Sequence, residues 1–337
     1  MHIDNDHRIG SLISRNLIID ILKTLGIFLV IVGHNTDGLL HQYIYSFHMP
    51  MFFILAGYFY KEREVLSSVK HDFKRILLPY ILYFLVVCFL DYMHNGISLL
   101  RLFQDIIKVI WGSVIRIDVL GHHVQGIGYL WFLPALFVCK NVFNFIYNFA
   151  TYTCRGGYKE VVLYVCVFLF MWLGYIVHHE LFPLPIAITT GLNALGYYTI
   201  GYLIKKLFKN FSIFTQIKYY YRVLIVILWI ILGRFALNGM GTLDYRCIPC
   251  DYIAAIVGTI TCYYIAVLIN KCFKSLSRIL SIIGQYTISI LLIHQLIASF
   301  IWYHKIDIDE ILIIVITCSF SIMYVMIHYL LYKKVFL

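Results

Sequence analysis

Residues 17–34 read LIIDILKTLGIFLVIVGH, an apolar run long enough to span a membrane that nevertheless contains Asp20, Lys23 and His34. A helix turns about 100° per residue, so the eleven steps from Lys23 to His34 return to within about 20° of the starting direction. Asp20 lies about 60° from Lys23, and the three side chains therefore share one stripe. The lysine and the histidine lie about 16 Å apart along it, which is about half of a hydrocarbon core.

Ionisable side chains inside a spanning helix are costly, by at least about 2.5 kcal/mol for each Lys or Asp on insertion scales. They are therefore more often functional than incidental. A base and a cation at two depths of one helix indicate a reaction that is supplied from both sides of a membrane.

The composition predicts an all-α, polytopic membrane bundle. Hydrophobic residues make up 61% of the 337 and charged residues 13%, which excludes an ordinary soluble domain. We expect a single transmembrane domain over residues 1–337 with about ten helices. The predicted spans are 17–34, 43–60, 76–94, 129–149, 160–177, 185–204, 222–238, 252–270, 279–302 and 311–331.

The distribution of Lys and Arg predicts the orientation. The cations gather in 61–75, 205–222 and 271–278, and a ten-helix count places all three segments on the same side. The positive-inside rule makes that side cytoplasmic, with both termini cytoplasmic in a plasma or inner membrane. The net charge of +10 is explained in this way, and no single basic face indicates a nucleic-acid partner.

Two features of the outer loops carry expectations of their own. Leu99, Ile106 and Ile110 recur at nearly helical spacing in 95–128, which predicts an amphipathic helix on the outer membrane surface. Cys247 and Cys250 fall on an outer loop, either as a disulfide or as free thiols, and no metal site is expected.

Two further cations lie within or near predicted spans. Lys140 is expected to extend its ammonium towards the cytoplasm. Arg234 is expected to pair with Asp244 or Asp251.

The second span, SFHMPMFFILAGYFY, places His48 and Pro50 near its outer start. Proline there kinks the helix or frees carbonyls, which is tolerated where backbone lines a cavity. Because the connection 35–42 is short, His34 and His48 should lie at the same face of the membrane. A merely capping or interfacial histidine is an equal alternative for His48.

The third span is entered through KHDFKRILLPY, where Lys74 and Arg75 meet apolar sequence. These cations can hold the phosphates of a cytoplasmic donor, or they are an ordinary positive-inside flank. Trp131 opens the fourth span, as a sugar-stacking residue or as part of an aromatic belt. His294 lies in LLIHQLI, as a site residue or as an interhelical hydrogen-bonding group.

Five stretches together resemble the acyltransferase-3 family of integral membrane O-acyltransferases, and within it the fucose 4-O-acetylase-like branch. The resemblance covers essentially the whole chain. Two departures are a lysine at position 23, where the wider family commonly has arginine, and Ala56, where many relatives have serine. The stretches are Asp20-x2-Lys23-x10-His34, FHMPMFFILAGY, KRILLPY, GYLWFLPALF and IGQYTISILLIHQ.

The resemblance implies transfer of an acetyl or other acyl group from cytoplasmic acetyl-CoA, a cosubstrate rather than a resident cofactor, to a hydroxyl of an extracytoplasmic or lipid-linked sugar. His34 would be the general base, a role that a near-neutral pKa suits. Lys23 would balance Asp20 and meet donor charge. The donor would contact Lys23, Lys74 and Arg75. The remaining partners would be membrane lipids and an acceptor carbohydrate held by His48, Trp131 and His294.

Two other classes remain open to the sequence. A multi-pass transporter or flippase of a glycan or small polar solute should show inverted repeats with matching broken helices, and no such repeat is found. A catalytically inactive scaffold would tolerate loss of His34. The acceptor, the acyl chain, an acyl-histidine intermediate and the oligomeric state, a homo-oligomer included, are not fixed by the sequence.

Overall fold

The computed structural model describes residues 16–96, 98–119, 122–154, 157–181, 184–236, 238–304, 306 and 308–335. Helices dominate the described residues, with two short antiparallel hairpins between them. The α-helices are α1 (Leu17–His34), α2 (Gly38–Tyr45), α3 (His48–Tyr58), α4 (Val65–Asp72), α5 (Leu78–Asn95), α6 (Leu99–Trp111), α7 (Phe132–Thr153), α8 (Tyr158–Ile176), α9 (Ile188–Asn193), α10 (Leu195–Phe208), α11 (Ile213–Gln216), α12 (Tyr219–Gly233), α13 (Ile248–Cys272), α14 (Lys274–Ile283), α15 (Thr287–Tyr303) and α16 (Glu310–Val335).

Shorter elements lie between these helices. Two π-helical turns cover Phe73–Leu77 and Val177–Leu181, and two 3₁₀ turns cover Gly128–Trp131 and Pro185–Ala187. The strands are β1 (Ile117–Val119), β2 (His122–Val124), β3 (Asn238–Gly239) and β4 (Asp244–Tyr245).

Helix α1 lies at the centre of the bundle. It packs against α2, α3, α13, α14, α15 and α16, so most of its length is buried. At its end the carbonyls of Ile31, Val32 and Gly33 accept hydrogen bonds from side chains of the following loop and of α2. Those bonds satisfy carbonyls that a helix terminus leaves without intrahelical partners, and they fix the position of His34.

Glycine allows a close helix contact in the protein's core, between α3 and α10. A Cβ on Gly57 would lie 1.8 Å from the Tyr198 carbonyl oxygen, and a Cβ on Gly201 would lie 1.8 Å from that of Ile54. Close backbone approach through small residues is the typical packing mode of membrane helices. This contact joins the α1 region to the helices α7 to α10.

The described residues contain six helices that are long and apolar enough to cross a membrane, or seven when α14 and α15, bent by 73° at their junction, count as one broken span. The all-α membrane bundle is therefore confirmed. The number of ten stays a prediction, as do the positions of the termini.

Four of the predicted spans are short or interrupted in the structure, and one of them, 279–302, is interrupted at the bend between α14 and α15. The 43–60 segment divides between α2 and α3, because Pro50 lacks the N–H that would bond the Ser46 carbonyl. The 185–204 segment begins with Ile186 and Ala187 at positive φ. The 222–238 segment becomes the 15-residue α12.

Lys140 has a partner that the sequence did not name, and Arg234 differs from its expected partners. Lys140 Nζ lies 2.6 Å from Asp72 Oδ1, where the carboxylate is buried, so the lysine pairs inside the bundle. The Arg234 side chain donates to Gln42 Oε1 at 3.1 Å, rather than to Asp244 or Asp251. A hydropathy pattern cannot predict these pairings, because the pairings depend on which helices are neighbours.

The structure supports part of what the sequence predicts for the amphipathic segment and for the two cysteines. The amphipathic α6 has no buried residue and exposes its apolar side chains, while the Tyr80 hydroxyl donates to the Val109 carbonyl and ties α6 to α5. The sulfurs of Cys247 and Cys250 lie 3.0 Å apart as free thiols.

We expect Gly57→Ala to lower the melting temperature of the detergent-solubilised protein markedly. The added Cβ overlaps the Tyr198 carbonyl, and overpacking a tight core costs about 1–3 kcal/mol or more. The control is Gly157→Ala, whose Cβ has open space around it. Thermal unfolding followed by size-exclusion chromatography measures both, and equal melting temperatures for the two variants would contradict the α3–α10 packing.

Candidate active site

The imidazole of His34 lies in a stack of aromatic rings. Its centroid is 3.5 Å from that of Tyr129 at 18° between planes, and 5.4 Å from that of His294 at 14°. The Tyr129 and His294 rings are themselves 5.4 Å apart at 26°. Three elements distant in sequence, α1, the 3₁₀ turn Gly128–Trp131 and α15, therefore meet at this point.

Tyr45 forms a hydrogen bond with one ring nitrogen of His34. Tyr45 Oη lies 2.8 Å from His34 Nδ1, and the Tyr45 ring stacks on His41 at 3.8 Å. A hydroxyl both donates and accepts, so it can serve Nδ1 in either protonation state. When Nδ1–H donates to Oη, the lone pair of Nε2 is available for a substrate proton.

His48 lies edge-on to His34, with ring centroids 6.3 Å apart. The side chain is buried, and Nδ1–H donates to the Ile44 carbonyl at 2.8 Å. That bond fixes the neutral tautomer with a lone pair on Nε2. Nε2 has no hydrogen-bond partner among the described residues, so it can accept from a hydroxyl that enters the site.

Gln295 fixes the position of Tyr129. Its Oε1 accepts from the Tyr129 backbone N–H at 3.3 Å, and its Nε2 donates to Ser299 Oγ at 3.3 Å. Gly128 has φ +64°, a conformation that favours glycine, and it lies against the Gln295 amide. This contact brings the 3₁₀ turn to α15, beneath the His34 ring.

The other charged residues of the stripe lie towards the start of α1. Lys23 Nζ is 3.1 Å from Asp20 Oδ1 and 5.0 Å from the Phe59 ring centroid. The Asp20 carboxylate is 3% exposed and the lysine side chain 24%. Gly284 allows α14 to approach here, since a Cβ on it would lie 2.0 Å from the Asp20 carbonyl oxygen.

Lys74 and Arg75 lie in the π-helical turn Phe73–Leu77, and both are exposed. The turn precedes Pro79, which has no N–H to bond the Arg75 carbonyl, so the helical ladder loosens there. The turn packs against α7.

Among the residues predicted to hold the acceptor, Trp131 lies apart from the histidine cluster. It is buried, and its indole lies close beneath Gly241. Tyr129, two positions earlier, makes the contact with His34 instead. Trp131 therefore supports the loop that carries Gly241 in this conformation.

Sequence reasoning singled out His34, His48 and His294, and the structure brings these three together. It missed Tyr45 as a partner of His34. Tyr45 lies three residues before His48, a spacing that would place both on one face of a continuous helix. The chain turns at Ser46 and Phe47, between the two helices. Helical spacing does not extend across such a break, so this signal was not usable.

Comparison with known protein families accounts for the five motifs quoted from the sequence. A family model described as an acyltransferase domain, that of the acyltransferase-3 family, matches residues 16–330. The chain belongs to the acyltransferase-3 family. It is thus an acyltransferase, and a multi-pass membrane protein by its helices. Neither a curated protein nor a solved structure matches the chain.

We expect Tyr45→Phe to lower the maximal rate of acyl transfer roughly tenfold to a hundredfold, with little change in KM. The substitution removes one hydrogen bond to a group that changes charge, worth about 1.5–3 kcal/mol. It should also shift the midpoint of the pH–rate profile, which a purely structural loss would leave in place.

The matched control is Tyr43→Phe, which removes a hydroxyl donating to the Ile230 carbonyl from the same helix. A Tyr45→Phe enzyme with the wild-type rate and pH profile would show that Nδ1 needs no partner.

Proposed function

We propose that this acyltransferase moves an acetyl group from cytoplasmic acetyl-CoA to a hydroxyl of an extracytoplasmic or lipid-linked sugar, as the fucose 4-O-acetylase-like branch of its family does. The observation that carries the proposal is the geometry of His34. Stacking and the hydrogen bond between Tyr45 and Nδ1 fix its ring. Nε2 is therefore the nitrogen left to accept the proton of an incoming hydroxyl.

The reaction needs one base that later acts as an acid. His34 Nε2 removes the proton of the acceptor hydroxyl while that oxygen bonds to the thioester carbonyl carbon. The C–S bond then breaks, and the sulfur of CoA leaves with the proton from Nε2–H. General acid–base catalysis of this kind contributes about 10²–10⁴ in rate. Direct transfer requires no acyl-histidine intermediate.

Charge along α1 supports delivery of the donor from the Lys23 side. Lys23, paired with Asp20, lies eleven residues from His34 on the same stripe, and the lysine retains partial exposure. A donor phosphate or carbonyl that approaches can attract Lys23 while Asp20 keeps the resting charge balanced. Arg75 and Lys74, exposed on their π-helical turn, are the proposed contacts for the CoA phosphates.

The acceptor sugar is proposed to lie against the histidines. His48 Nε2 accepts from a second hydroxyl and so orients the reactive one, with His294 beneath the stack. Trp131 is proposed to support this acceptor site from below the Gly241 loop. The proposed location is the plasma or inner membrane with both termini cytoplasmic, which agrees with this direction of transfer.

We expect His34→Ala to reduce O-acetyl content of cell-surface glycans by at least about a hundredfold, since the base is lost. The measurement is NMR of glycans from cells that carry only the variant, alongside its abundance in the membrane. The control is His328→Ala, an exposed histidine of α16. Normal O-acetylation in cells with only the His34→Ala protein would remove the proposed mechanism.

We expect Arg75→Ala to raise KM for acetyl-CoA about tenfold and to leave kcat nearly unchanged, because it removes a phosphate contact made equally in ground and transition states. Inside-out membrane vesicles expose this face to added acetyl-CoA. Lys61→Ala, an exposed cation of the preceding loop, is the control. If both variants keep the wild-type KM, Arg75 is only a membrane-flanking charge.

A further inference from the structure

A small cavity lies beside the histidine cluster, between α1, α3, α7 and α15. Its volume is about 30 Å³, and apolar side chains dominate its walls. The lining side chains include Ile27, Val30, Met49, Phe132 and Leu291.

The cavity is adjacent to the reactive ring. Val30 precedes His34 by four residues and Leu291 precedes His294 by three, so each lies on the same helix face as its histidine, one turn away. Met49 directly follows His48. The Cβ atoms of Val30 and Leu291 therefore lie about 5–6 Å from those of His34 and His294, and Val30 lies on the Lys23 side of His34.

The chemistry of the walls selects the occupant. A sugar or the amides of pantetheine would lose hydrogen bonds to water there without replacement, which is costly. An alkyl group loses nothing and buries apolar surface. One water needs roughly 10–15 Å³ of such space, so the cavity accommodates about two or three carbon-sized atoms.

We propose that this cavity binds the alkyl end of the transferred acyl group and limits the enzyme to short acyl chains. The inference rests on the proposed function, in which an acyl-CoA thioester reaches His34. The alkyl group and the sulfur leave the planar carbonyl carbon in different directions. The alkyl group can therefore enter between Val30 and Leu291 while the pantetheine follows a separate path towards Lys23.

The test compares acetyl-, propionyl-, butyryl- and hexanoyl-CoA as donors. Inside-out vesicles from the native host, which contain the acceptor, are prepared from cells whose only copy is wild type or a variant. Release of free CoA gives kcat/KM for each donor. We expect wild type to use acetyl- and propionyl-CoA and to use hexanoyl-CoA at least a hundredfold less well.

Variants of the wall should move this length limit. Leu291→Ala enlarges the cavity and should raise the butyryl-to-acetyl ratio of kcat/KM at least tenfold. Its matched control is Ile290→Ala, which truncates the neighbouring buried residue of the same helix outside the cavity and should keep the wild-type ratio. Ile27→Val is a milder enlargement for use if Leu291→Ala does not fold. Val30→Leu fills the space and should lower the propionyl-to-acetyl ratio.

Each other outcome overturns the inference. Unchanged ratios in folded wall variants would make the cavity a packing void only. An equal change for all four donors would place the pantetheine arm there instead of the alkyl group. A wild-type protein that uses no acyl-CoA would remove the proposed function and the acyl site with it, whereas normal use of acetyl-CoA with unaltered length selection removes the acyl site alone.

Discussion

The stacking of His34 on Tyr129 and His294 is the interaction on which the site depends. Each ring comes from a different element, so the stack forms only when α1, the 3₁₀ turn and α15 are correctly packed. Offset aromatic contacts are worth about 0.5–1.5 kcal/mol each beyond the burial of their surface. The imidazole is therefore held in one orientation before a substrate binds, and Tyr45 fixes its remaining edge.

The two ends of α1 have different chemistry because different neighbours surround them. At the start, α14 approaches closely over Gly284, and the Asp20–Lys23 pair is largely enclosed. At the end, side chains of the loop and of α2 satisfy the last carbonyls. Between them lies the apolar cavity, so one helix carries a charged pair, an apolar space and a base in sequence order. This order suits the transfer that we propose.

Sequence reasoning predicted much of this arrangement, since it depends on local patterns. Hydropathy located the apolar helices, and helical spacing placed Asp20, Lys23 and His34 on one stripe. The shared location of His34 and His48 followed from a short connection. The importance of Tyr45 was not visible, because 28 tyrosines give no reason to choose one.

The features that the sequence did not predict depend on contacts between residues that are far apart in the chain. The ion pair between Lys140 and Asp72 joins residues 68 positions apart, and a hydropathy pattern contains no information on which spans are neighbours. The break near Ile186 lies within an apolar run, so composition does not show it. The π-helical turn before Pro79 likewise reflects a missing backbone donor as well as the buried Asp72 contact.

The most direct measurement is a cryo-electron microscopy structure of the full chain in lipid nanodiscs with a thioether analogue of acetyl-CoA, which binds as the donor does but cannot react. We expect the analogue's carbonyl-equivalent carbon about 4–6 Å from His34 Nε2, which leaves space between them for an acceptor oxygen in hydrogen-bond reach of Nε2 and about 3–3.5 Å from that carbon. Its adenine and phosphates should lie on the Lys23 side of the bundle. An analogue bound elsewhere, with the His34 ring facing lipid or sealed from the donor, would contradict the assignment of His34 as the base of acyl transfer.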